Sequence, residues 1–207
     1  MLIAALLGTY QMMDGVADTE VKREGYIRTI YNKANDMEKL INELTVYSGI
    51  DNNRIPYHFH KIQVDEYFRD CIEEVGLDLE SMNFKLNYVN LVSADTTIIA
   101  DPEQLKRVIN NIISNSVKYM DKPQAEINIR ILDEVDSIRV EIEDNGKGIS
   151  PKDLPNIFDR FYRTDASRNS STGGSGIGLS IVKAIMDSFQ KDYGVKNYTN
   201  GVLFWFE

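Results

Sequence analysis

The sequence predicts an α+β protein: a two-layer α/β sandwich with a mixed, mostly antiparallel sheet covered by helices, preceded by an antiparallel helical hairpin. Three observations predict it. Residues before about 49 carry only helical periodicity. Residues after about 57 mix short strand patterns with amphipathic helical ones. Several of those strand patterns are joined by short turns such as "TNGV" (199–202), which favour antiparallel pairing.

The bulk numbers agree with a globular protein. The chain has 207 residues, 43% hydrophobic and 27% charged, with a net charge of −9. An acidic balance argues against a nucleic-acid-binding surface and leaves any anionic ligand to local features. The single cysteine, Cys71, excludes an intramolecular disulfide and a cysteine zinc cage and fits a reducing compartment. No stretch reaches the ~18 apolar residues of a membrane span, and "MLIAALLGTYQMM" lacks the basic flank and cleavage site of a signal peptide. The expectation is a cytoplasmic chain.

The elements follow in order. Residues 1–50 read as a partial helical hairpin, 51–56 as a hinge linker and 57–207 as the sandwich domain. Met1–Met13 is the end of one helix, "DGVAD" (14–18) a turn, and Thr19–Ser48 a long second helix. In that helix Ile27, Ala34 and Ile41 lie seven apart, as do Ile30, Met37 and Leu44. Such a seam packs either on its own domain or, in the reading we favour, in a four-helix bundle of two chains. In the sandwich domain, strands are expected near 57–62, 84–89, 97–100, 127–132, 138–143, 193–197 and 202–206. Helices are expected near 63–80, 102–118, 151–157 and 177–189.

Three stretches carry candidate chemistry. The helix "DPEQLKRVINNIISNSVKY" (101–119) opens on a capping Asp101 and Pro102 and buries a stripe from Leu105 to Val117. Asn111, Asn115 and Lys118 form a second stripe at its edge: either a solvated polar border, or a pocket wall where an Asn oxygen can meet Mg2+ and a lysine a phosphate. The alternating strand "IRVEIE" ends in "DNGKGI" (144–149), an acid followed by Gly146 and Gly148. "GGSGIGLSIVK" (173–183) is a glycine-rich loop feeding a helix, a geometry that favours anions, although a flexible loop explains a lone glycine run equally well. It lacks the context of a dinucleotide fingerprint and the Gly-Lys-Ser/Thr of a Walker loop. Between the last two lies "IFDRFYRTDASR" (157–168), with Phe158 and Phe161 placed as anchors of a lid or of a plain surface loop.

Taken in order, Asn-rich helix, Asp-Asn-Gly-x-Gly, Phe-x-x-Phe and Gly-x-Gly-Ile-Gly resemble the N, G1, F and G2 boxes of sensor histidine kinases. The resemblance spans about 101–183, and residues 1–48 look like the end of the dimerisation hairpin that precedes such a domain. It implies ATP and Mg2+ as ligands, with ADP as product. It implies Asp144 as acceptor of the adenine amino group, with Gly146, Gly148 and Ile149 lining the base. It implies Asn115 as the Mg2+ ligand, and Asn111, Lys118 and Tyr119 as phosphate- and ribose-side contacts. Phe158, Phe161 and the Gly174, Ser175, Gly176, Ile177, Gly178, Leu179 run would form the lid and its phosphate-binding edge, with Arg163 and Asn111 as the catalytic candidates. Its implied partners are a response-regulator receiver domain and a second copy of the chain through the hairpin, with no nucleic acid and any membrane anchorage in segments outside this chain.

Two departures stand out. The family's phospho-acceptor motif, His-Glu/Asp-x-x-x-Pro, is missing; the only histidines, His58 and His60, lie in "PYHFHK", so the chain is expected to be a fragment that cannot phosphorylate itself. "MDSFQKDYGV" stands where many members carry a His-Gly-Gly turn. The alternatives are a Mg2+-dependent ATPase of the same superfamily and a non-catalytic nucleotide-binding regulator. The ATPases carry a glutamate base one turn before the metal-binding Asn; here that position is Asn111, which cannot act as a base.

Overall fold

The computed structural model describes residues 19–51, 56–164, 175–198 and 201–207. The expected first helix (1–13), its turn (14–18), most of the linker, Gly174 and Arg168 lie outside them. The chain divides after Ser48 into two compact units.

In the first unit, helix α1 runs over Glu20–Asp51, three residues past the expected end. Thr19 starts it, its Oγ1 accepting the Lys22 N–H at 3.3 Å. Of the seven-residue seam, Ile27, Ile41 and Leu44 stand exposed in the single chain.

The second unit is the sandwich. Its described elements are β1 (His60–Gln63), α2 (Val64–Ser81), β2 (Phe84–Asn90), β3 (Thr97–Ala100), α3 (Pro102–Lys118), β4 (Ala125–Asp133), β5 (Ile138–Asp144), α4 (Gly178–Phe189), β6 (Tyr193–Tyr198) and β7 (Gly201–Phe206). Five strands form one sheet in the order β2-β4-β5-β7-β6, while β1 and β3 pair separately. Only β2–β4 is parallel; β4–β5, β5–β7 and β6–β7 are antiparallel, so the sheet is mixed as expected. Tyr198 of β6 pairs with Gly201 of β7.

Alternation sets the two faces. Ile127, Ile129 and Ile131 of β4 and Val140 and Ile142 of β5 turn inward and are buried with Ile109 and Ile112 of α3 and Ile181 and Ile185 of α4. Outward on the same strands, Arg130 pairs with Glu141 and Glu143 at 3.0 and 2.8 Å. An antiparallel sheet with one face in water reads this way.

Two expectations fail locally. The strand expected from 57 begins at His60, because the residues before it are engaged otherwise. The His58 N–H donates to Asp101 Oδ2 at 2.9 Å, and the Tyr57 and Phe59 rings pack with Phe189. The helix expected over 151–157 is reduced to a single 3-10 turn, Leu154–Asn156. Pro155 sits inside it, has no N–H to donate and blocks continuation of the helix.

Candidate functional site

The N-terminus of α3 is closed by its own sequence. Asp101 is buried, and its Oδ1 accepts the N–H groups of Glu103 and Gln104 at 3.0 and 3.1 Å. Pro102 occupies the first turn, where a missing donor costs nothing. This fixes the helix and with it the Asn111–Asn115–Lys118 edge. Asn111 and Asn115 are half-buried, as the stripe requires. The Asn111 Nδ2 donates back to the Arg107 carbonyl at 2.9 Å, which leaves Oδ1 facing α4: a Cβ on Gly178 would lie 3.1 Å from it. Lys118 lies 4.8 Å over the Tyr119 ring, and Lys147 approaches the same ring at 5.8 Å.

Strand β5 delivers Asp144 to the same corner. The carboxylate is 6% exposed. Its Oδ2 accepts the Ser116 hydroxyl at 2.7 Å and its Oδ1 the Gly146 N–H at 3.0 Å. Burial pushes the carboxyl above its ordinary range, against the pull of Ser116 and of the Gly146 and Val202 backbone donors. Behind Asp144 the chain passes very close to β7: a Cβ on Gly201 would sit 1.8 Å from the Asp144 carbonyl oxygen, so only glycine fits. The next residue, Asn145, ties β5 to the start of β4, its Oδ1 accepting the Glu126 N–H at 2.9 Å and its Nδ2 donating to the Gln124 carbonyl at 2.8 Å.

The loop that follows is bracketed from β6. Asn197 Oδ1 accepts the Ile149 N–H at 2.8 Å while its Nδ2 donates to the Ile149 carbonyl at 2.6 Å, as a neighbouring strand would. Gly148 lies against this bracket with φ +78.

The described residues on either side of 165–174 form a clasp. Phe161 and Gly176 both adopt left-handed backbone, φ 58 and 73, and the Phe161 N–H donates to the Gly176 carbonyl at 3.0 Å. A Cβ on Gly176 would lie 3.0 Å from backbone atoms of both Phe161 and Tyr162. Phe158 anchors this segment edge-on to Tyr193 at 5.0 Å. Phe161 does not anchor through its ring, which is 60% exposed; its left-handed backbone turns the ring outward, and the fixed part is the peptide. Tyr162 donates its hydroxyl to Asp153 at 2.6 Å and holds that carboxyl below its ordinary range. Arg163 is half-buried beyond the clasp.

Helix α4 begins immediately after. Ser175 Oγ accepts the Ile177 N–H at 3.1 Å, and Ile177, which is buried, occupies the cap position with no side-chain acceptor to offer. The first-turn amides at Gly178 and Leu179 are therefore not closed by a cap, and they start beside Asn111 Oδ1.

Three contacts thus join the Asn-rich helix to both glycine segments: Ser116 with Asp144, the Tyr119 carbonyl 3.3 Å from a Cβ on Gly146, and Asn111 with Gly178. The fit to an adenine nucleotide rests on this corner. A buried acceptor stands at one end, an uncapped helix start at the other, and glycines between them where side chains would intrude. Four supporting residues receive no role of their own from the sequence: Ser116, Asn145, Asn197 and Gly201. Asn145 and Gly201 lie within the "DNGKGI" and "TNGV" signals, and Ser116 is a hydroxyl in the buried stripe Leu105–Ile109–Ile112–Ser116. Their partners lie far along the chain.

Comparison with known proteins agrees with this geometry. The profile of the histidine kinase-, DNA gyrase B-, and HSP90-like ATPase family matches residues 100–207. The peroxide stress-activated histidine kinase mak2 of Schizosaccharomyces pombe is 29% identical over 208 residues, an alignment covering 95% of this chain and 9% of mak2. In structure, the chain resembles Acinetobacter baumannii histidine kinase AdeS with a TM-score of 0.79 at 16% identity, covering 99% of this chain and 92% of that one. It also resembles histidine kinase ThkA in complex with response regulator protein TrrA, with a TM-score of 0.75 at 23% identity over 99% and 56% of the two chains. The chain belongs to the histidine kinase-, DNA gyrase B-, and HSP90-like ATPase family and carries the ATP-binding catalytic domain of a histidine kinase.

Proposed function

We propose that this chain is the catalytic core of a sensor histidine kinase that binds ATP with Mg2+ and transfers the γ-phosphoryl group to a histidine in a two-component phosphorelay. The observation that carries this reading is Asp144, a buried carboxylate held by the Ser116 hydroxyl and the Gly146 N–H. A carboxylate so placed accepts the amino group of adenine and repels the keto oxygen of guanine. Gly146, Gly148 and Ile149 line the base, and Lys118 and Tyr119 meet the ribose and phosphates. The uncapped start of α4 receives phosphate oxygens, with Ser175, Gly176, Ile177 and Leu179 at the closing edge and Gly174 beyond the described residues. Asn115 supplies a hard oxygen for Mg2+, which when bound neutralises phosphate charge. Arg163 is the cation assigned to the transferring phosphoryl group.

The acceptor histidine is assigned outside this chain, since the two histidines, His58 and His60, lie just before and at the start of β1 and not on a helix of the hairpin. Phosphotransfer is favoured over hydrolysis because Asn111, at the position of the ATPase base, has no proton-accepting basicity and is hydrogen-bonded into its own helix. The exposed Ile27, Ile41 and Leu44 of α1 support a dimer through the helical hairpin, and the likeness to ThkA supports a response-regulator receiver domain as the downstream partner. Among the described residues no helix is long and apolar enough to cross a membrane.

The test is calorimetric titration of ATP into this chain, with and without Mg2+, while released phosphate is monitored. Magnesium-dependent binding with negligible turnover is expected; steady hydrolysis would transfer the reading to an ATPase. Asp144→Asn should weaken ATP binding about a hundredfold, because it loses a charged acceptor and presents an amide donor to the adenine amino group. Asn115→Ala should remove most of the Mg2+ dependence and leave nucleotide binding without metal unchanged.

A further inference from the structure

Ser116 is 2% exposed, at the fourth position of a stripe otherwise filled by Leu105, Ile109 and Ile112. A hydroxyl there costs desolvation unless it is hydrogen-bonded. The local solution is to donate to the carbonyl four residues back. Thr29 does this to Gly25, Thr45 to Ile41 and Ser188 to Ala184, each at 2.8 Å. Ser116 does not. It donates across to Asp144 Oδ2, 28 residues away in sequence, at 2.7 Å. A core position is thus used to orient one carboxylate.

We propose that Ser116 is a positioning residue that sets the base specificity of this site, its hydroxyl fixing the Asp144 carboxylate as an acceptor toward adenine. The inference rests on the reading of Asp144 given above. A carboxylate held by donors can only accept, so it reads an amino group. A protonated Asp144 would carry an O–H and could donate to the keto oxygen of guanine. Burial favours the protonated form, and the Ser116 hydroxyl with the Gly146 and Val202 N–H groups opposes it. Of the charged groups around it, Glu143, the preceding residue on β5, also favours protonation; it turns to the other face, where Arg130 holds it at 2.8 Å. Lys118 and Lys147 lie at the rim over Tyr119. Ser116 is the one side chain of α3 that the structure hydrogen-bonds to this carboxylate.

The experiment is titration of ATP and of GTP, across pH, into the whole chain and into its Ser116→Ala and Asp144→Asn variants. Alanine is the strongest helix former, so Ser116→Ala keeps α3. ATP affinity of the unaltered chain should fall on acidification as Asp144 is protonated. In Ser116→Ala that midpoint should move up by about one pH unit, and between the two midpoints the preference for ATP over GTP should drop about tenfold. A variant that weakens ATP and GTP equally with an unmoved midpoint would show that Ser116 only fills space, and would overturn the inference. If Asp144→Asn binds ATP as tightly as the unaltered chain, the Asp144 reading itself falls and the Ser116 role falls with it. Loss of ATP binding in Asp144→Asn beside an unmoved midpoint in Ser116→Ala confines the failure to Ser116.

Discussion

Helices α3 and α4 pack against each other, yet they begin differently. α3 is sealed: buried Asp101 takes three backbone donors, two from the helix's own first turn and one from His58. α4 is left open: its cap residue is Ile177, and a left-handed glycine, Gly176, precedes it. A helix start closed by its own sequence gains stability. One left open forgoes it, and in the function proposed above its donors are left for phosphate.

The largest expected effect breaks the sealed end. Asp101→Ala removes the acceptor for three N–H groups and should cost about 3 kcal/mol of unfolding free energy, read by denaturant titration. ATP affinity of the folded fraction should change little. If affinity fell with stability even where the variant is fully folded, the sealed end would belong to the site and the contrast would be lost.

The open end should respond in the opposite way. Gly176→Ala places a Cβ 3.0 Å from unyielding backbone at a left-handed position. The clasp with Phe161 must shift, at a local cost of about 1–2 kcal/mol. Calorimetry should show roughly tenfold weaker ATP binding, with a smaller loss of global stability than Asp101→Ala. Equal loss of both would mean that the clasp is part of the cooperative core.

How much of this was legible depends on where the information lies. α3 was readable from cap to end, because Asp101, Pro102 and the 3.6-residue stripe are all local signals. The strands 97–100 and 138–143 likewise carry their pattern in their own residues, and the structure extends the second by one residue, to Asp144. The Asp144, Gly146 and Gly178 positions came from motif order, not from periodicity. What could not be read was non-local. The parallel pairing of β2 with β4 follows from packing of the whole sheet. Asn197 holds Ile149 from 48 residues away. Gly201 is required only because the Asp144 carbonyl comes to rest against it. The helix expected at 151–157 is cut to one turn by Pro155, a local signal in the sequence itself.

The far ends of the two helices supply the smallest and most local test. α3 ends on Tyr119 at φ −103, ψ 11, outside the left-handed region, with Lys118 in its last turn complementing the dipole. α4 ends on Gln190 at φ 55, ψ 43, a left-handed cap that a side chain adopts at a cost and glycine adopts freely. Gln190 lies in "MDSFQKDYGV", where the resemblance leads one to expect a glycine-containing turn. The turn takes the left-handed conformation with a glutamine at the cap. Gln190 donates its N–H to the Asp187 carbonyl, and the Lys191 N–H reaches the Met186 carbonyl at 3.0 Å, so the cap's hydrogen bonds form with glutamine there. Gln190→Gly should therefore keep the geometry, remove the strain and raise stability by about 1 kcal/mol, seen as a higher melting temperature with unchanged ATP affinity. A fall in stability would show that the Gln190 side chain contributes packing that outweighs its backbone strain.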